Sequence, residues 1–188
     1  MINIIFETHS TTTDNEEHVS SGTYDVGLSE TGTEQAKNLG ERRKNDMFDA
    51  IYCSELQRSY LTAEIAFEGR DIPIIRDARL NELDYGDMTR YPSGEVHPAR
   101  AEHITEPYPN GESYKQAADR MYKFLQELLA ERDEQKILII GHRQTQYSLE
   151  HYLRKVSLKE AITNPWTWQP GWDYELKELQ PKEIYPIT

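Results

Sequence analysis

Short apolar runs alternate along the chain with longer stretches in which apolar residues recur every three or four positions, a pattern of strands followed by amphipathic helices. The first run, Ile2 with Ile4-Ile5-Phe6, stops abruptly in the polar burst Glu7-Thr8-His9-Ser10-Thr11-Thr12-Thr13-Asp14-Asn15. Positions 18–27 are turn material, and Ser29 or Thr31 then caps a helix. Thr31 with Glu34 has capping-box spacing, and Ala36, Leu39 and Arg43 share one face as far as about residue 44. Residues 49–53 read as a second strand, and Ser54 is placed to cap a helix in which Leu56, Tyr60, Ala63 and Phe67 recur until Gly69. Residues 72–75 read as a third strand, which Pro73 puts near an edge or at a strand start.

Between 79 and 111, Pro92, Gly94, Pro98, Pro107, Pro109 and Gly111 interrupt any long element, so a lid or specificity insert is expected over about 85–111. Ser113 with Gln116 repeats the capping-box spacing and opens the strongest amphipathic helix, with Ala117, Met121, Phe124 or Leu125, and Leu128 facing the core. Ile137-Leu138-Ile139-Ile140 is unbroken by any polar residue, as a central strand buried on both faces requires, and it runs into Gly141-His142-Arg143. Helices are expected over 145–153 and 157–162, and a last edge strand over 172–179. Trp166, Trp168 and Trp172 read as packing of the tail on the body in preference to a ligand wall, because indoles bury large areas. The alternation of strand and helix predicts one α/β domain over 1–188, with a largely parallel sheet and helices on both faces.

Composition narrows the chemistry. The 188 residues suit a single domain able to bury a core, and the net charge of −12 repels polyanions, so neither nucleic acid nor an anionic membrane is an expected partner. A small anionic substrate then needs a locally basic pocket. The single cysteine, Cys53, allows no internal disulfide and no thiolate-rich zinc site. The apolar run at the N-terminus is too short for a signal peptide or a membrane span, so the cytoplasm is the expected location. Oligomeric state has no signature in the sequence.

His9 and His142 each follow a strand, and in a parallel sheet both imidazoles arrive at the carboxyl edge, where ligands bind in such folds. Arg58 lies in the first turns of the helix after the second strand, and helix N-termini at that edge add partial positive charge. Each residue has a plainer reading alone: His9 as a turn residue, His142 as a core histidine, Arg58 as a solvated helix arginine. Their convergence at one edge favours phosphate chemistry.

The same residues carry a resemblance. Thr8-His9-Ser10-Thr11-Thr12-Thr13-Asp14-Asn15 resembles the Arg-His-Gly-Glu-Thr-x-x-Asn signature of the histidine phosphatase superfamily, the phosphoglycerate-mutase-like proteins. The segments 28–36, 51–64, 79–86, 110–113 and 139–142 are similar to further motifs of that family, in the family's order. The resemblance implies a three-layer α/β/α sandwich with a mostly parallel central sheet, and cofactor-free, metal-independent hydrolysis of a small-molecule phosphate monoester through a phosphohistidine. Carried over by position, it makes His9 the nucleophile and Glu82 the proton donor. Arg58 and His142 then clamp the phosphoryl group, with Asn15, Arg143 and Thr8 beside it.

The chain also departs from the family. Thr8 replaces the family's first arginine, Ser10 its glycine, Thr11 its glutamate, and Arg143 the glycine after the second histidine. Loss of a phosphate-contacting guanidinium costs on the order of a few kcal/mol of transition-state stabilisation. Arg143 is expected to restore that charge with its guanidinium facing His9. The rival readings are a non-catalytic phospho-ligand binding or regulatory relative, motivated by Thr8, and a phosphoglycerate-type mutase, which the short 82–111 stretch disfavours. A metal-dependent hydrolase ranks behind both for want of a ligand pair at metal-binding spacing. Substrate determinants are expected over 85–108, where Arg90, His97, Arg100 and His103 are the candidates to meet the leaving group.

Overall fold

The unbroken apolar run at 137–140 forms the middle of the sheet. In the structure, a computed structural model that describes residues 1–132 and 134–188, the strands are β1 (Ile2–Thr8), β2 (Ala50–Cys53), β3 (Ile74–Arg76), β4 (Lys136–Gly141) and β5 (Trp172–Leu176), in the order β3-β2-β4-β1-β5. β3, β2, β4 and β1 run parallel, and β5 pairs with β1 antiparallel at the other edge. Side chains alternate between the two faces of the strands. Ile4, Phe6, Ile137 and Ile139 pack on one side, where α5 (Tyr114–Glu131) and α6 (Arg143–Leu153) lie, while Ile5, Ile51, Leu138 and Ile140 pack on the other against α2 (Glu30–Arg42) and α3 (Gln57–Ala66). The result is the three-layer sandwich.

Short helices α1 (Thr13–Glu16), α4 (Ser93–Ala99) and α7 (Leu158–Thr163) complete the chain, with 3₁₀ turns at 78–80, 86–88, 100–103 and 182–184. Residues 85–111 thus hold two 3₁₀ turns and α4. Among the described residues no helix is long and apolar enough to cross a membrane.

Local chemistry accounts for most boundaries. Ser113 accepts from the Gln116 N–H and the Gln116 side chain returns a bond to Ser113 N, the reciprocal cap that the sequence predicts for α5. Ser29, not Thr31, caps α2 by accepting from Gly32 N. Position 32 must be glycine because a Cβ there would overlap the backbone carbonyl oxygen of Thr11. This close approach seats the start of α2 against the loop that follows β1. The third strand starts two residues later than its apolar run, at Ile74, with Pro73 just before it, where its carbonyl accepts the Ile51 N–H and its lack of an N–H is tolerated at a strand start.

Candidate active site

β1 and β4 are neighbours, with Thr8 opposite Gly141, so the next residue of each chain segment, His9 and His142, leaves the sheet at one point. The His9 N–H donates to Gly141 O at 2.9 Å, and the two imidazole centroids are 5.0 Å apart. β2 flanks β4 on its other side and feeds α3, whose second residue is Arg58. Three adjacent parallel strands therefore deliver His9, His142 and Arg58 to the same carboxyl edge.

His9 Nδ1 lies 2.8 Å from the backbone oxygen of Ser10. A carbonyl only accepts, so the proton sits on Nδ1 and the Nε2 lone pair is left for chemistry. Burial lowers the His9 pKa to about 3, with Arg58 and then Arg143 pushing the same way and the Ser10 carbonyl opposing them. His142 is fully buried and is held neutral by burial, then by Arg58 and His9. Its Nε2 is 2.7 Å from Ser54 Oγ, and its Nδ1 is buried without a partner. Ser54 is therefore not the cap of α3: that position is Leu56, which makes no side-chain cap bond, while Ser54 turns inward to the histidine. In sequence a serine before a helix signals a cap; only the neighbouring strand end shows its actual partner.

Arg58 is 2% exposed and donates to the backbone oxygens of Gly22 at 2.6 Å and Tyr24 at 3.0 Å, so it also fixes the 22–24 loop. Glu82 is half-buried, accepts the Leu83 N–H at 2.8 Å, and has its pKa raised by burial, with that bond and Arg58, Arg120 and Arg143 opposing the rise. Burial thus favours a neutral carboxyl beside cations, an arrangement suited to giving up a proton.

A cavity of about 840 Å³ opens at this edge, and His9, Glu82, His142, Arg58, Asn15, Arg143 and Thr8 all line it. Asn15 is tied down there, because its Oδ1 accepts the Thr12 N–H in the reciprocal cap of α1. Arg143 sits with its guanidinium carbon 4.4 Å from the Trp166 ring centre. Of the four residues expected to meet a leaving group, His97 lines the cavity and the others are engaged elsewhere. Arg90 pairs with Asp14, Arg100 donates to the Tyr147 hydroxyl, and His103 stacks on Tyr108 at 3.7 Å. The tryptophans divide as well: Trp172 packs on Phe6 at 5.6 Å as tail packing predicts, whereas Trp166 and Trp168 form part of the cavity wall.

No motif or spacing in the sequence marks Glu7. It is 2% exposed, and both Arg42 and Arg43 bind its carboxylate, at 2.9 Å and 2.7 Å, neutralising an acid two residues from His9. Among the described residues no group of three His, Cys, Asp or Glu side chains is placed to hold a metal ion.

The histidine phosphatase superfamily (branch 1) matches residues 4–167. The chain belongs to this superfamily. It is 32% identical over 164 residues to the 2,3-bisphosphoglycerate-dependent phosphoglycerate mutase of Parvibaculum lavamentivorans, across 79% of this chain and 78% of that protein. It is also 32% identical over 143 residues to the adenosylcobalamin/alpha-ribazole phosphatase of Salmonella typhimurium, across 72% of this chain and 71% of that one. Bacillus stearothermophilus YhfR shares the fold at a TM-score of 0.81 and 24% identity, covering 100% of this chain and 98% of that one.

Proposed function

We propose that this histidine phosphatase superfamily member hydrolyses a small-molecule phosphate monoester through a phosphohistidine at His9. The observation that carries the reading is His9 itself: neutral, with Nδ1 committed to Ser10 O, beside the buried Arg58 and a glutamate whose pKa burial raises. The Nε2 lone pair attacks phosphorus, the bond to the leaving oxygen breaks, and Glu82 gives that oxygen its proton. Water then attacks the phosphohistidine while the Glu82 carboxylate takes the water's proton, which releases inorganic phosphate and restores both groups. Arg58, Arg143 and the Nδ1 side of His142 meet the equatorial oxygens, where charge accumulates in the loose transition state. Asn15 and Thr8 border the same oxygens.

The test is p-nitrophenyl phosphate hydrolysis with a chelator present, combined with trapping of labelled enzyme. Turnover indifferent to the chelator, with acid-labile label lost in His9→Ala, is the expected result. Turnover surviving intact in His9→Ala overturns the reading. The mutase similarity supports a second possibility, transfer of the phosphoryl group to an acceptor other than water, and phosphoglycerate isomer exchange outpacing phosphate release distinguishes it.

A further inference from the structure

Arg143 differs from every other arginine among the described residues. The remaining eleven donate to a carboxylate, an amide or hydroxyl oxygen, or a backbone carbonyl. Arg143 makes no such bond and instead lies over the indole of Trp166. A guanidinium on an aromatic face is held in place yet keeps all its donors free, unlike one locked by a carboxylate.

The indole is itself fixed by stacking. Its N–H is buried without an acceptor, its centroid is 5.9 Å from that of Trp172 with the planes 30° apart, and Trp172 lies 5.6 Å from Phe6 on β1. An aromatic row therefore runs from the strand that bears His9, through β5 and the segment before it, to the guanidinium at the start of α6. The Trp166 and Arg143 end of the row lines the cavity, and Thr8 stands there without the charge its family carries.

Resting on the phosphatase reading, we infer that Trp166 is a positioning residue that aims the Arg143 guanidinium at the phosphoryl oxygens, in place of a guanidinium at position 8. The segment between α7 and β5 thereby belongs to the active site. Trp166 touches no reacting atom in this arrangement; it supplies a flat seat from which an uncommitted cation reaches the phosphate.

The test is a double-mutant cycle on the full chain, reading orthovanadate affinity and p-nitrophenyl phosphate turnover for R143A, W166L and the double variant, with W166F as the conservative control. R143A is expected to weaken vanadate binding and turnover by about 100-fold, as loss of one charged transition-state donor does. W166L is expected to cost about 10-fold through loss of the seat, and W166F less than W166L. The double variant should match R143A alone, because a seat without a guanidinium has nothing to aim. Effects that multiply in the double variant overturn the inference. So does a W166L protein whose turnover falls only with its folded fraction while vanadate affinity is intact. Failure of the unsubstituted chain to bind vanadate overturns the phosphatase reading itself, which is a different result.

Discussion

His9 and Glu82 are pushed by the same burial in opposite directions along the pH axis. A cation is disfavoured in the cavity, so the imidazole loses its proton early and has a pKa of about 3, whereas a carboxylate is disfavoured too, so Glu82 keeps its proton above its ordinary 4.5. The nucleophile needs a neutral imidazole and the acid a neutral carboxyl. kcat/KM is therefore expected to rise through about pH 3 and to fall once the pH exceeds the raised Glu82 pKa. In Glu82→Gln the alkaline limb should disappear together with most of the rate; an alkaline limb unchanged in that variant would contradict the assignment. Ser54 teaches a related lesson. Its 2.7 Å contact with His142 Nε2 ties that ring to the end of β2, a partner that no residue next to His142 in the chain announces.

At the level of elements, the site depends on how β1 and α2 are joined. Gly32 lets α2 approach the backbone of Thr11, and farther along the same helix Arg42 and Arg43 reach back to the buried Glu7 carboxylate. Glu7 alone in the cavity wall would be an unpaired buried charge; with two arginines it fixes the end of the strand from which His9 emerges. Removing both arginines leaves the carboxylate uncompensated, so the Arg42→Ala/Arg43→Ala double variant is expected to destabilise the fold by about 3 kcal/mol. Denaturant unfolding measures this, and a change under about 0.5 kcal/mol would show the pair to be of the weak, solvent-screened kind. The pairing was not legible in sequence because Glu7 and Arg43 lie on elements of different period. The α5 cap was legible, because both halves of the Ser113–Gln116 exchange lie within one turn.

For the whole molecule, the buried histidines make stability depend on pH in a defined direction. His9, His97, His142 and His151 all have pKa values below the 6.5 of an exposed imidazole, each mainly through burial. As the pH falls below 6.5 the unfolded chain takes up protons that the folded chain refuses, so stability declines; Glu82, raised in the fold, is one group opposing four. The melting midpoint is expected to drop between about pH 7 and pH 5, by about 2 to 4 °C for each kcal/mol lost, and a flat midpoint in thermal melts would contradict it. Periodicity and caps by themselves determined the alternation of strand and helix, the central place of 137–140 and the edge to which His9, Arg58 and His142 point, because hydrophobic period and capping are local. Three decisions belonged to the tertiary structure alone: that Ser54 turns to His142, that Glu7 is neutralised by α2, and that Arg143 rests on Trp166. Each joins residues far apart in the chain, and their meeting is set by strand order and layer packing, which leave no periodic trace in the sequence.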